Sequence, residues 1–273
     1  MPEYTAPAAD SVRGPAPDFD VRAYARSAVG NLRDGLDLSA YESAPLSAET
    51  LRTIAFLQAV ERSTLQHLRV VLVTPTHKDA RITAFLTTWA YEKYWVADAL
   101  SAILSAHDAV PVAPKRPAIV RFVREVAERV APIRESLVAN QIGVDVIATH
   151  MATGAIDGWL TQAAYRRIAE LEPHDELAKT MDTILSIKAR HLTFFEPQSD
   201  YRLGASPRAQ KLGRSRLRKL VWPIGADELA PADRAFFFAR LFTSSPGLAR
   251  SIDDAIDGLP GLRGLHLIEK ASA

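Results

Sequence analysis

Four residues with reactive side chains fall on apolar helix faces in this sequence. In the stretch 180–195, a period of 3.6 residues places Lys188 and His191 on the same face as a row of apolar residues. Glu61 and Lys93 fall in the same way on the apolar faces of two earlier segments. A buried lysine can act as a base or a Schiff-base nucleophile, and glutamate and histidine can act as its acid–base partners. The pattern therefore predicts a polar cluster inside an apolar core.

A structural role also fits these residues, because lysine stems can lie along apolar surface and buried charges are usually paired. Two ammonium groups against the single carboxylate of Glu61 leave a positive charge that burial disfavours. Either one lysine is neutral at pH 7, or an anionic ligand completes the balance. On this count Lys93→Met or Lys188→Met is expected to be nearly neutral for stability. The alternative hypothesis is an internal ion pair in a protein without catalytic activity.

The elements that must position these residues are helices. Apolar residues recur at three- and four-residue steps through four segments, at about 47–72, 78–106, 143–170 and 180–195. A proline-punctuated connection, with a helical segment of its own over 117–140, separates the second segment from the third. No segment alternates polar and apolar residues with period two. The sequence therefore predicts an all-α fold with a long crossover.

The chain divides into three predicted parts. Residues 1–20 hold four of the seventeen prolines and little periodicity, which is typical of a disordered tail. A helical bundle is expected over 21–203 and a C-terminal helical extension over 204–273. Within the extension, residues 208–219 include six basic and no acidic side chains and form an amphipathic pattern. This segment can dock an acidic carrier protein or a phosphate group, and a solvated helix face is the alternative.

Composition excludes several classes of function. The 273 residues contain no cysteine, which excludes disulfides, thiol nucleophiles, thiolate metal sites and iron–sulfur clusters. The formal net charge of +1 gives no overall field that would favour nucleic acid. There is neither a signal-peptide pattern nor a run of eighteen uncharged apolar residues. We therefore expect a cytoplasmic protein that binds neither nucleic acid nor membranes.

The four helices, the crossover after the second helix and the inward polar positions together resemble the ferritin-like di-iron carboxylate superfamily. The resemblance covers roughly residues 47–200, and the nearest branch comprises acyl-carrier-protein desaturase-like and related bacterial oxidase members. It implies a four-helix bundle with one Glu on each of two helices and Glu-x-x-His on each of the other two. Two of the six ligand positions match, namely Glu61 and His191. The other four positions hold Lys93, Val96, Gly158 and Lys188.

The changed positions argue against the superfamily's metal centre. One carboxylate and two ammonium groups cannot balance two divalent ions, since cations a few ångströms apart in a pocket repel each other by several kcal/mol. A single ion would need help from His150 or from Asp157, which falls one residue off the inward face. The superfamily includes metal-free members in which lysine replaces a ligand carboxylate. The resemblance thus implies that Lys93 and Lys188 replace the cations, and we expect no metal and no cofactor.

These observations lead to three functional hypotheses. The first is a metal-independent enzyme, biosynthetic in role, that holds a small apolar or acyl substrate in the bundle and uses Lys93, Lys188, Glu61 and His191 in catalysis. The second is a non-catalytic ferritin-like binding or scaffold protein. The third is an iron-dependent oxidase with unorthodox ligands. A homodimer is expected from the resemblance alone. The residues predicted to line the substrate pocket are Trp89, Val96, Gly154, Gly158 and Tyr165.

The remaining polar residues are assigned no part in the predicted site. Glu92, next to Lys93, falls off the apolar face of its helix. The five other histidines have no partner at metal-ligand spacing and are interpreted as surface or loop residues: His67, His77, His107, His174 and His266. The run Asp253 to Asp257 has the letters of a diphosphate-binding motif, but it is short and lacks a second metal motif. It is interpreted as a solvated helix face.

Overall fold

The structure of this protein is a computed structural model that describes residues 17–109 and 143–273. Every regular element in these ranges is helical and no strand occurs in them, which confirms the all-α class. None of the helices in the described ranges combines the length and apolar character needed to cross a membrane. The predicted helical segment 117–140, and all but the last residues of the predicted tail 1–20, lie outside the described residues.

The helices are numbered here in chain order, and three short 3₁₀ turns connect some of them. The helices are α1 Val21–Arg26, α2 Ser39–Ser43, α3 Ala48–Arg62, α4 Thr64–Leu72, α5 Ala80–Ala106, α6 Asp145–Leu171, α7 Asp175–Ala205, α8 Pro207–Leu217, α9 Pro231–Phe238, α10 Pro246–Gly258 and α11 Leu267–Ser272. The 3₁₀ turns are Leu32–Gly35, Pro75–Lys78 and Ala226–Glu228.

Side-chain caps mark the starts of α3 and α5. The hydroxyl of Ser47 accepts a hydrogen bond from the backbone N–H of Thr50 at the start of α3, and Asp79 caps α5 in the same way. The predicted single helix over 47–72 is wrong in one respect, since Ser63 separates α3 from α4. Its hydroxyl donates to the carbonyl of Val60 at 2.7 Å, which is the local side-chain bond that competes with helix continuation.

Two pairs of long helices form the centre of the protein. Helices α6 and α7 pack against each other along most of their length, and α3 packs against α5. Helix α1 and helix α4 both lie against α5, and α8 lies against α6. The C-terminal helices add a further layer, with α9 against α3 and α10 against α6. The residues predicted to be reactive therefore come from helices that are covered on more than one side.

The buried apolar residues form two clusters, and the predicted polar residues lie where one cluster gives way to the other. On α5, the buried residues up to Ala90 belong to one cluster and those from Val96 onward to the other, with Lys93 between them. On α7 the same change occurs between Ile187 and Leu192. Lys188 and His191 occupy that interval. The polar residues thus form a layer between two apolar regions.

Candidate functional site

The centre of the site is an ion cluster that we define as Glu61, Lys93, Asp157 and Lys188, with one residue from each of α3, α5, α6 and α7. The Nζ atom of Lys188 lies 2.6 Å from Oε1 of Glu61, and the Nζ atom of Lys93 lies 3.2 Å from Oε2. Glu61 is 1% exposed and each lysine is 3% exposed. The predicted burial of these three residues and their predicted proximity are therefore confirmed.

Asp157 supplies a second buried carboxylate, although its sequence position falls one residue off the inward face. Its Oδ2 lies 3.5 Å from Nζ of Lys93, and its Oδ1 accepts a hydrogen bond from the backbone N–H of Ile224 at 2.8 Å. The cluster therefore contains two carboxylates and two ammonium groups. The predicted excess of positive charge is wrong, and neither a neutral lysine nor an anionic ligand is needed for charge balance.

Two hydroxyl groups add hydrogen bonds to the cluster, whereas Oε2 of Glu61 has only its ion contact with Lys93 among the described residues. The phenol of Tyr165 donates to Oε1 of Glu61 at 3.0 Å. The ammonium group of Lys188 donates to Oγ1 of Thr161 at 3.1 Å, and Thr161 in turn donates to the backbone carbonyl of Asp157. Both hydroxyls come from α6, one and two turns beyond Asp157. Buried charges with this number of partners lose much less from desolvation than isolated ones.

The neighbouring charges favour the ionised forms of Glu61 and Lys93. Burial alone would raise the pKa of Glu61, but Lys188 and Lys93 together lower that pKa to about 2. Burial likewise acts to lower the pKa of Lys93, but Glu61 and Asp157 outweigh it and the pKa is raised. The pKa of Lys188 is lowered, because burial and the neighbouring Lys93 outweigh the attraction of Glu61. Lys188 is thus the less basic of the two lysines.

The prediction of one cluster of Glu61, His191 and the two lysines is wrong for the histidine, which contacts Glu92 instead. Its Nε2 lies 2.9 Å from Oε2 of Glu92, a residue that is fully buried although the sequence pattern put it off the apolar face. Glu92 also accepts hydrogen bonds from the hydroxyl of Tyr24 at 2.6 Å and the backbone N–H of Val29 at 2.9 Å. Arg190 lies 3.3 Å from Oε1 of Glu92. We call Glu92, His191 and Tyr24 the histidine cluster.

The histidine in this cluster is neutral at pH 7. Burial lowers the pKa of His191 to about 4, even though its hydrogen bond to Glu92 acts in the opposite direction. The Nε2–H group of the neutral ring then donates to Glu92. Burial acts to raise the pKa of Glu92, but the hydrogen bonds from His191, Tyr24 and Val29 outweigh it and lower the pKa. Glu92 is therefore a carboxylate with a full set of donors.

The space beside the ion cluster is small. A cavity of about 10 Å³ adjoins Lys93 and is lined on other sides by Trp89, Gly154, His67 and Asp157. That volume holds about one water molecule. A small apolar or acyl substrate does not fit in this arrangement of the side chains.

Three of the five predicted pocket residues do not line this cavity. Val96 and Tyr165 are 1% and 0% exposed and belong to the packed core. Gly158 leaves no space, because a Cβ atom at that position would lie 2.7 Å from Cδ2 of Leu192. The prediction of a pocket at these positions is wrong, since the leucine side chain fills the gap that the glycine leaves. Trp89 and Gly154 do line the cavity, as predicted.

His67 is the polar residue of the cavity wall that sequence reasoning missed. It lies on α4, and burial lowers the pKa of its ring to about 4. His150 of α6 is also half-buried; its Nδ1 lies 2.8 Å from the hydroxyl of Thr76, and burial lowers its pKa to about 3. His67 is half-buried and lies on a helix, so its interpretation as a loop residue is wrong. No local sequence pattern indicates this position of His67, because the cavity wall also takes residues from α5 and α6.

The run beginning at Asp253 is not simply a solvated face, and that interpretation is wrong for its first residue. Asp253 is 4% exposed, and its two carboxylate oxygens accept hydrogen bonds from the backbone N–H groups of Ile268 and Glu269, which begin α11. Among the described residues, Asp253, His266 and Glu269 form one group whose ligand atoms lie within 4.8 Å of one another. His266 and Glu269 also bond each other at 2.9 Å. These contacts indicate a helix cap.

The basic segment 208–219 forms α8 and the turn after it, as predicted. Leu217 and Ala209 are buried on its apolar side. Two of its arginines have partners within the protein. Arg214 donates hydrogen bonds to the carbonyls of Gly261 and Arg263, and Arg208 lies 3.6 Å from Asp145. The segment is therefore a partly engaged helix face rather than a fully solvated one.

Comparison with known protein families, with curated proteins and with solved structures found no match for this chain.

Proposed function

We propose that this protein is a ferritin-like four-helix bundle of α3, α5, α6 and α7, in which the ion cluster replaces a metal centre, and that it acts as a non-catalytic binding or scaffold protein. The observation that supports this function is the balance and closure of the cluster. Two carboxylates contact two ammonium groups at 2.6–3.5 Å, and only about 10 Å³ of free volume lies beside them. A catalytic site needs open space for its substrate.

A structural role, in fixing the register of the four helices, explains why these charges are buried. Replacing a buried ion pair by well-packed apolar residues is often neutral or stabilising, so such pairs are not needed for stability itself. The ion cluster takes one charged residue from each of the four helices. A one-residue slip of any helix along its neighbours would leave a buried charge without its partner. The cluster thus favours one register of the four helices over all others.

A metal-independent enzyme is the second candidate, and one observation favours it. Lys188 has a lowered pKa and lies next to a carboxylate and a phenol, those of Glu61 and Tyr165. That arrangement is suited to a lysine base or a Schiff-base nucleophile. It requires the cavity beside Lys93 to open by movement of side chains such as Phe195, which packs against Gly154. The acyl or small-molecule ligand, the homodimer and the cytoplasmic location stay predictions.

Competitive lysine labelling distinguishes the two candidates. Native protein is treated with trace acetic anhydride at several pH values, and the rate at each lysine is read by mass spectrometry after full unfolding and labelling. In a closed structural cluster, Lys93 and Lys188 should react at least about 100-fold more slowly than exposed lysines, because modification requires local opening. Lys179, whose side chain is 74% exposed, and the exposed Lys211 are the matched controls.

The opposite outcome would identify a catalytic lysine. If Lys188 reacts as fast as Lys179 at pH 7, the cluster opens readily and the non-catalytic function is contradicted. Sodium borohydride reduction in the presence of a short aldehyde would then be expected to trap an adduct on Lys188. Slow labelling of Lys188 together with no adduct supports the scaffold function.

A further inference from the structure

A second polar site, separate from the ion cluster, lies in the C-terminal part of the chain. A cleft of about 270 Å³ is lined by three basic side chains, those of Arg218, Arg234 and Lys270. They come from the end of α8, from α9 and from α11, so that three separate elements direct positive charge to one place. None of the described residues that line this cleft carries a carboxylate. Like charges brought together without a counter-charge repel one another, and an anion relieves that repulsion.

The acidic residues nearest in sequence to these cations have other partners. Asp233, which precedes Arg234, pairs with Arg52 at 2.8 Å. Glu269, which precedes Lys270, pairs with His266 at 2.9 Å and lies 3.5 Å from Arg250. In the part of the chain that the structure describes, neither Arg218 nor Arg234 has an ion-pair partner. Lys270 donates one hydrogen bond, to the carbonyl of Leu265 at 2.9 Å.

The wall of the cleft also holds a buried donor that lacks an acceptor. Trp222 is 3% exposed and lines the cleft, and among the described residues its indole Nε1–H has no hydrogen-bond partner. An unpaired buried donor costs free energy, whereas a ligand oxygen that reaches it after a small movement of the wall removes that cost. This observation is independent of the three cations. Both point to an anion as the missing group.

The lining side chains and the volume of the cleft indicate which class of anion it binds. Leu220, Val221 and Leu267 form an apolar part of the wall beside the basic side chains. Two guanidinium groups and one ammonium group match the several acceptor oxygens of a phosphoryl group, with which guanidinium forms paired hydrogen bonds. A volume of about 270 Å³, just below the usual range for ligand pockets, indicates a small molecule.

From these observations we infer that the cleft binds a small phosphate monoester, with the phosphoryl group held by Arg218, Arg234, Lys270 and Trp222 and a short apolar group against Leu220 and Leu267. This inference does not depend on the role of the ion cluster. It gives the C-terminal extension a ligand-binding function of its own. It also assigns the predicted affinity of the basic segment for phosphate to a defined place at its end.

The test uses the full chain and n-butyl phosphate as the probe. Binding is followed by isothermal titration calorimetry and by tryptophan fluorescence, since the indole of Trp222 lies in the wall. We expect saturable binding at one site, tighter than that of inorganic phosphate, and no binding of n-butanol. Arg218→Gln and Arg234→Gln should each weaken the binding about tenfold or more, because each removes a charge-assisted hydrogen bond.

The control variant is Lys211→Gln, which removes one positive charge from an exposed position of α8 outside the cleft. It should bind n-butyl phosphate as the parent protein does. Equal weakening in Lys211→Gln and Arg218→Gln would show general electrostatic attraction and overturn the site, as would the absence of saturable binding. Inorganic phosphate that binds as tightly as n-butyl phosphate would overturn the apolar part of the assignment.

Trp222→Phe provides a test of the buried donor. In this variant the ring is retained in part but the N–H group is lost, so we expect weaker binding and a loss of the fluorescence response. Circular dichroism checks that it is folded. If this variant does not fold, the two arginine variants still decide the question.

Discussion

Lys188 and Glu61 form the closest contact of the ion cluster, with 2.6 Å between Nζ and Oε1, and both are almost fully buried. The second carboxylate, Asp157, contacts the other lysine, Lys93, at 3.5 Å. Each charge is therefore compensated only while all four are present. This balance determines what a single substitution does.

The first prediction concerns the coupling between Glu61 and Lys188. Glu61→Gln should lower the free energy of unfolding by about 3–5 kcal/mol, because it leaves the ammonium group of Lys188 buried without a carboxylate. Lys188→Met should also be destabilising, in contrast to the expectation from sequence, since it leaves Glu61 and Asp157 with Lys93 alone. The double variant should lose less than the sum of the two single losses, with a coupling energy of about 1.5 kcal/mol or more.

Urea unfolding of the parent, the two single variants and the double variant measures this coupling. The matched control is Glu176→Gln with Lys179→Met, a pair at 3.4 Å whose lysine is exposed, for which the coupling should stay below about 1 kcal/mol. A coupling near zero for Glu61 and Lys188 would mean that the two side chains do not meet in the folded protein.

The second prediction is that acid destabilises the protein in a window set by His191. The pKa of His191 is lowered from 6.5 to about 4 in the folded state, so the unfolded chain binds the extra proton first as the pH falls. The free energy of unfolding should therefore decrease from pH 6.5 down to about pH 4, by on the order of 3 kcal/mol from this residue. Glu61 extends the loss to lower pH, because its pKa is lowered from 4.5 to about 2.

Comparison of the parent protein with His191→Gln isolates the contribution of the histidine. Glutamine keeps a donor for Glu92 but does not titrate, so the variant should lose less stability than the parent between pH 6.5 and pH 4. The measurement is the urea midpoint at each pH. Parallel curves for the two proteins would show that His191 is not buried in its neutral form.

The third prediction is that hydrogen bonds to Glu92 hold residues 21–29 against α5. Tyr24→Phe removes the hydrogen bond to Oε2 of Glu92 and should cost about 1–3 kcal/mol, because a buried carboxylate loses a donor. Hydrogen exchange of residues 21–29 should become faster, whereas that of α6 should change little. Tyr94→Phe is the control, since Tyr94 is 51% exposed and lies on the same helix as Glu92. Unchanged exchange at 21–29 in Tyr24→Phe would contradict this prediction.

The fourth prediction concerns the close approach of α6 and α7. A Cβ atom at Gly154 would lie 2.3 Å from Cε1 of Phe195, so Gly154→Ala should destabilise the protein by about 1–3 kcal/mol despite the better helix propensity of alanine. Gly158→Ala should cost less, because the atom that it meets is the flexible end of Leu192. Gly247→Ala in α10 serves as the control, because the added Cβ would have no neighbouring atom within 4 Å among the described residues. We expect its effect to be neutral or slightly stabilising. Equal melting temperatures for Gly154→Ala and Gly247→Ala would contradict the close packing of Gly154 against Phe195.

Local sequence pattern was enough to predict the helices and the burial of the first polar residues. The 3.6-residue period that places Lys188 and His191 on an apolar face is a property of α7 alone, and both residues are buried as predicted. The same holds for Glu61 on α3 and Lys93 on α5. The helix caps at Ser47 and Asp79 are likewise local, because a side chain there reaches an N–H group three residues ahead.

Only the tertiary structure decided which charges meet. Glu92 and Asp157 each lie beside an inward position, where a single helix pattern predicts a side chain at the edge of the core. Glu92 is buried because the chain around Tyr24 and Val29 covers it, and Asp157 is buried because the backbone at Ile224 does so. These covering segments are far away in sequence, so no period within α5 or α6 can reveal them. The charge balance of the site, and with it the closed state of the cluster, follows from that second layer.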